Sequence, residues 1–172
     1  GVPERSLKNA LAYEEKSKAI TNKEWMMIAD YTVPSSEQRL FVINLKTGLL
    51  IKTFVAHGRG SDDGHGNAVR FSNRQDSLQT SPGFLKIGEH IVSPGYGAAF
   101  RLRGLEDRNS QVEKRLIILH GANDVSADDG GKVGLSEGCP AVSEEMIKLL
   151  YSKNIPGSLF YGYTPEDAQV AK

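Results

Sequence analysis

The sequence holds one cysteine in 172 residues, so no intramolecular disulfide framework can brace it and stability must come from a packed core. Charge of one sign is missing as well: 21 Lys and Arg balance 21 Asp and Glu, which removes the broad basic field of a nucleic-acid-binding chain. No run approaches the roughly 20 apolar residues of a transmembrane helix. Gly1-Val2-Pro3 offers neither an initiator methionine nor a signal-like apolar stretch, and reads as a processed or trimmed start. Four histidines are present, yet there is no His-Glu-x-x-His and no paired-cysteine spacing. An EF-hand loop from Asp124 would need Gly at 129 and Glu at 135, where Asp129 and Leu135 stand. Gly58 to Gly64 is glycine-rich but lacks the Gly-Lys-Ser/Thr of a phosphate loop. No metal and no cofactor is expected.

What is present suits a single domain, since 172 residues can bury most of their apolar surface around one core. Ser6 to Ile20 carries Leu7, Ala10 and Leu11 with Glu14 and Lys18 at helical spacing, which predicts a short amphipathic helix. Strands are expected at Trp25 to Tyr31, Leu40 to Asn44 and Leu49 to Val55, the last two forming a hairpin through Leu45 to Gly48. A long polar segment, His57 to Thr80, follows; loops of that length usually form lids or binding walls. Further strands are expected at Gly83 to Ile87, Ala98 to Leu102, Leu116 to His120 and Leu159 to Tyr163. Ser143 predicts a helix start, with Glu144 and Glu145 in the first turn and Val142 placed to staple against Ile147. Residues 1–22 read as a helical segment packed on the domain, 23–163 as the domain itself, and 164–172 as a polar tail that frays.

The chemistry-bearing stretch is Arg115-Leu-Ile-Ile-Leu-His120-Gly121 followed by Ser136-Glu-Gly138-Cys139-Pro140. The apolar run would hold His120 rigidly at a strand end, and the Gly-Cys-Pro context sets Cys139 on a tight loop. A thiol reacts as its thiolate, and a neighbouring imidazole can take its proton, so Cys139 is the candidate nucleophile and His120 its base. Acyl transfer also needs donors for the oxyanion, and backbone N–H groups at Gly138 and Cys139 suit that need. Ser136 either orients the imidazole or lines the oxyanion site, or is a plain turn serine. Gly121 either keeps the base accessible or simply ends the strand. His65 and His90 read as structural or exposed.

These residues resemble the L,D-transpeptidases of bacterial cell-wall synthesis, the YkuD-type catalytic domain, in the branch with a Ser-x-Gly-Cys-Pro-Ala motif. The likeness extends over residues 25 to 163 through Ala56-His57-Gly58-Arg59-Gly60-Ser61, Phe71-Ser72-Asn73, Ser81-Pro82-Gly83-Phe84, Arg103-Gly104-Leu105-Glu106 and His120-Gly121-Ala122. Glu137 stands where a His often precedes Gly-Cys, and Pro140-Ala141 replaces an aliphatic-Arg pair. The resemblance implies a mainly β fold, a β-sandwich of mixed sheets with an N-terminal helix and a helix after the cysteine loop. It implies a monomeric enzyme, periplasmic or otherwise exported to the cell envelope, whose partners are peptidoglycan stem peptides. Cys139 would form a thioester with the third-position diamino acid of a stem tetrapeptide, release D-Ala, and pass the acyl group to an amine. Water as acceptor would make it an L,D-carboxypeptidase or endopeptidase, and loss of catalysis would leave a wall-binding domain. His57 and Ser81 are expected in the substrate cleft.

Overall fold

The computed structural model describes residues 1–126 and 133–169. Most of the acidic stretch between Asp124 and Gly131 lies outside them, as does the tail from 170 to 172. In chain order the elements are α1 (Glu4–Lys16), β1 (Trp25–Asp30), β2 (Leu40–Asn44), β3 (Leu50–Thr53), β4 (Gly83–Ser93) and β5 (Gly97–Gly104). Then follow β6 (Ile118–Gly121), β7 (Ala141–Val142), α2 (Glu144–Tyr151), β8 (Leu159–Tyr163) and α3 (Pro165–Gln169).

The eight strands form one mixed sheet in the order β3-β2-β1-β8-β4-β5-β6-β7. β1 runs antiparallel to β2 and parallel to β8, so its continuous run Trp25 to Asp30 is buried throughout. The period of two sorts its side chains: Met27 and Ala29 enter one cluster with Val42, Ile87, Phe100, Leu119 and Ile147, while Met26 and Ile28 join Phe41, Tyr161 and Ala10 in another. The first cluster draws residues from strands at both ends of the sheet. It can do so because the sheet curls: the Ala56 N–H, just beyond β3, bonds the Ala141 carbonyl of β7 at 2.8 Å. Complete burial of a ring such as Phe100 is worth about 2–3 kcal/mol, and the helix α2 covers this face through Ile147 and Leu150.

Several expected boundaries shift for local reasons. Helix α1 starts at Glu4 and ends at Lys16, so Lys18 lies beyond it and the Glu14–Lys18 helical pair does not form. Its inward face is Ser6, Ala10 and Glu14, with Leu11 exposed. Strand β4 runs to Ser93, six residues past expectation, because a bulge between Ile87 and His90 absorbs Gly88 and Glu89 and the strand continues as a solvent-exposed arm. Strand β6 begins at Ile118; Leu116 is outside it, exposed, at φ +57°. Thr164 to Gln169 does not fray. Asp167 accepts from the Thr164 N–H at 3.0 Å and hydroxyl at 2.9 Å, and pairs with Arg108 at 2.8 Å, which fixes α3. The hairpin turn does form, with the Asn44 side chain accepting from the Lys46 and Thr47 N–H groups and Gly48 at φ +77°. Ser143 caps α2 by accepting from the Met146 N–H at 3.1 Å.

Candidate active site

The two residues of β7 decide the site. They pair parallel with β6, His120 opposite Ala141 and Gly121 opposite Val142. Two residues earlier on each segment, Cys139 therefore lies opposite Ile118: its Sγ is 3.5 Å from the Ile118 N–H and 3.9 Å from the Leu116 carbonyl. Cys139 and His120 line one cleft of about 260 Å³ with Tyr96, Arg115, Glu137 and Asp76. No hydrogen bond joins the thiol to the imidazole directly among the described residues.

His120 is set for one role. Its Nδ1–H donates to the carbonyl of Gly121 at 2.8 Å, which leaves Nε2 of the neutral ring as the acceptor. Burial lowers the pKa of this ring, so it is uncharged at neutral pH and ready to take a proton. Tyr96, at the tip of the β4–β5 arm, covers it with ring centroids 4.0 Å apart. Gly121 is required by packing as well, since a Cβ there would lie 2.6 Å from Ile147 of α2. Burial pushes the Cys139 thiol up, and Glu137 adds to the rise; the Ile118 N–H and the Arg115 guanidinium act against it. A neutral thiol and a neutral imidazole in one cleft are thus the resting state.

Ser136 takes the turn role. Its hydroxyl donates to the Cys139 carbonyl at 2.6 Å and accepts from the Gly138 N–H at 3.1 Å, closing the loop on itself. It does not touch His120. The Gly138 N–H is therefore occupied and unavailable to an oxyanion, contrary to expectation. Among the described residues the Cys139 N–H donates to no protein acceptor, and it is the donor left for that task. Gly138 itself needs its φ of +118°, and a Cβ on it would meet the Gln79 carbonyl at 2.9 Å.

His57 and Ser81 do not line the cleft. His57 is completely buried behind the cysteine loop, with Nδ1 accepting from Arg39 Nη2 at 2.6 Å and Nε2 bonded to Asp62 at 2.8 Å. Both ring nitrogens are engaged, so none is left for substrate. Its backbone carbonyl accepts from the Ser136 N–H at 3.0 Å, and Gly58 bridges Ser136, so this segment is the wall on which the loop rests. Arg39, also completely buried, is lowered to about 10 by burial and lies over the Tyr31 ring at 5.0 Å. Ser81 is buried and accepts from Arg115 at 2.8 Å.

The His57 contacts carry a pH consequence. Burial, then Arg39, hold its pKa below the ordinary 6.5, so the unfolded chain takes up the proton more readily than the folded one. Stability from this group is complete above about pH 6.5 and is lost as pH falls towards the depressed value. The melting temperature is expected to drop between pH 7 and 5, by about 2–4 °C for each kcal/mol lost in a domain of this size. Calorimetry checks this; a melting temperature flat across that range would mean that the folded and unfolded chains take up the proton alike and that burial does not depress the ring.

Backbone strain marks the same cleft. Among the described residues the three non-glycine residues at positive φ are Asp76, Leu78 and Leu116, each at +57°, and all three line the cavity with Cys139 and His120. Each costs about 1–2 kcal/mol, a cost a fold tolerates where function requires the geometry. None of the three, nor Tyr96 or Arg115 as site residues, was legible beforehand. The only cue was the turn signal Pro94-Gly95 beside Tyr96.

A half-buried thiol, an uncharged imidazole with a free nitrogen, and an unpaired N–H at the thiol's own residue form a site able to accept an acyl group. The family model for L,D-transpeptidase catalytic domains matches residues 2–163, and the chain belongs to that family. No curated protein matches the sequence. Solved structures share the fold: L,D-transpeptidase 3 from Mycobacterium tuberculosis is 14% identical with a TM-score of 0.50, covering 80% of this chain and 60% of its own. The same protein with a faropenem-derived adduct is 12% identical at a TM-score of 0.50, with 82% and 60% covered. An L,D-transpeptidase from Stackebrandtia nassauensis is 17% identical at a TM-score of 0.49, with 95% and 69% covered. The chain thus spans about three fifths of the Mycobacterium tuberculosis protein.

Proposed function

We propose that this protein is a peptidoglycan L,D-transpeptidase that works through a thioester on Cys139. The observation that supports it most directly is the β6–β7 register, which sets Cys139 and the free Nε2 of His120 in one cleft. The donor is the tetrapeptide stem. As Sγ attacks the carbonyl of the third-position diamino acid, Nε2 takes the thiol proton and the Cys139 N–H meets the developing oxyanion. Collapse breaks the bond to D-Ala, and His120 returns the proton to that departing amine. An acceptor amine then gives a proton to His120, attacks the thioester and restores the thiol. The substrate places the reaction on the outer side of the cytoplasmic membrane; no helix of the described residues is long and apolar enough to cross one.

Incubation with disaccharide tetrapeptide, followed by mass spectrometry, tests the reading. Expected are release of one D-Ala per acyl-enzyme and a cross-linked product with an amine acceptor. Tripeptide alone would assign water as the acceptor, and an unmodified stem with no adduct on the protein would end the proposal.

A further inference from the structure

Arg115 is held in an unusual way. Its side chain is half-buried, yet it makes no ion pair among the described residues. Nη1 donates to the Ser72 carbonyl at 2.6 Å and the Ser81 hydroxyl at 2.8 Å, and Nη2 to the Ser77 hydroxyl at 3.2 Å and the Gln79 carbonyl at 2.6 Å. Four neutral acceptors on one segment fix the guanidinium without cancelling its charge. Arg59, Arg101, Arg103 and Arg108 each meet a carboxylate instead, whereas Arg39 and Arg70, like Arg115, meet neutral acceptors; of these three, Arg115 lines the cleft of Cys139. Leaving a partly desolvated cation unpaired is costly, and a fold gains from it only where an anion forms nearby.

The nearby place is the cleft. Arg115 lines the cavity shared by Cys139 and His120, and a Cβ built on Gly138 would lie 3.2 Å from its Nη2, directly beside the residue that precedes the nucleophile. The clamp also spans Asp76 and Leu78, the two strained positions of that segment. Other ionisable groups around the thiol leave Arg115 as the one fixed cation. Glu137, on the cysteine loop, is already paired with Arg59. Tyr31, after β1, is pushed up to about 12 by burial and stays neutral. His120 is neutral at rest.

We propose that Arg115 is a positioning residue whose clamped, unpaired guanidinium stabilises the Cys139 thiolate, with the Ser72 to Ser81 segment serving to hold that charge in place. The proposal deepens the proposed function and rests on it only in taking Cys139 as the reacting thiol. No bond is made or broken by Arg115. Its charge shifts the balance between thiol and thiolate, and so acts before any donor is bound.

Alkylation of Cys139 by iodoacetamide, followed by intact mass from pH 5.5 to 10 on the full chain, reads that balance without peptidoglycan. A failure of the donor chemistry and a failure of this proposal are therefore separable. Arg115→Gln is expected to move the profile to higher pH and slow alkylation at pH 7 by about 3- to 10-fold, part of the thiolate loss being offset by the greater nucleophilicity of a more basic thiolate. Arg115→Lys keeps the charge and Ser77→Ala removes one clamp acceptor, so both are expected to stay within about two-fold of wild type. An unmoved profile in Arg115→Gln, or an equal displacement in Arg115→Lys or Ser77→Ala, overturns the proposal, since geometry and not charge would then be responsible. If Arg115→Gln does not fold by circular dichroism, Arg115→Lys decides alone: an unmoved profile supports the role of charge and a displaced one removes it.

Discussion

Cys139→Ala is expected to abolish acyl-enzyme formation completely while the protein remains folded. The thiol is the single group in the cleft able to form a thioester, and alanine leaves the carbonyl of the donor with nothing to attack it. The fold should tolerate the change because Ser136 closes the loop through the backbone carbonyl of residue 139 and the N–H of Gly138, neither of which the substitution touches. Loss of one partly buried sulfur costs about 1 kcal/mol or less. Intact mass after exposure to tetrapeptide, together with a thermal melt, checks both halves. An adduct surviving in Cys139→Ala would transfer the chemistry to another residue and remove the central claim.

The second large effect belongs to His120→Ala, for which turnover is expected to fall by about 10²- to 10⁴-fold. Because burial raises the thiol and lowers the imidazole, the reactive form is the neutral pair, and the imidazole must carry the proton during attack. The wild-type rate should therefore decline on the acid side only below the ordinary imidazole range, around 6.5, as His120 becomes protonated. In the variant that limb should give way to a low rate that rises with pH as the thiol itself ionises. A near wild-type rate for His120→Ala at pH 7, or an acid limb above pH 7, would assign the base to another group.

How far the sequence reveals these features depends on whether they are written locally. The run Leu159 to Tyr163 and the Asn44 turn are local patterns, and they appear as expected. The Ser143 cap is equally local. The nucleophile and base are visible as residue types in context, yet what brings them together is β7, a strand of two residues that no period can announce. The arm of β4 escapes notice because Gly88, Glu89 and His90 break the alternation at a bulge. His57 misleads in the opposite sense, since a histidine at a strand end beside glycines suggests a substrate cleft, and its complete burial depends on partners such as Arg39 and Asp62 that only the fold supplies. Arg115 is a similar case, its clamp lying 34 to 43 residues earlier in the chain.

The place of β8 has a consequence for the birth of the molecule. The last strand to be synthesised lies in the middle of the sheet, parallel to β1 and antiparallel to β4. Until Tyr163 has left the ribosome, the growing chain can own only two separate partial sheets, β3-β2-β1 and β4-β5-β6-β7, each with an unpaired inner edge. Joining them requires closure of a loop that runs from Trp25 to Leu159, and pairing over so long a separation is slow for a domain of this size.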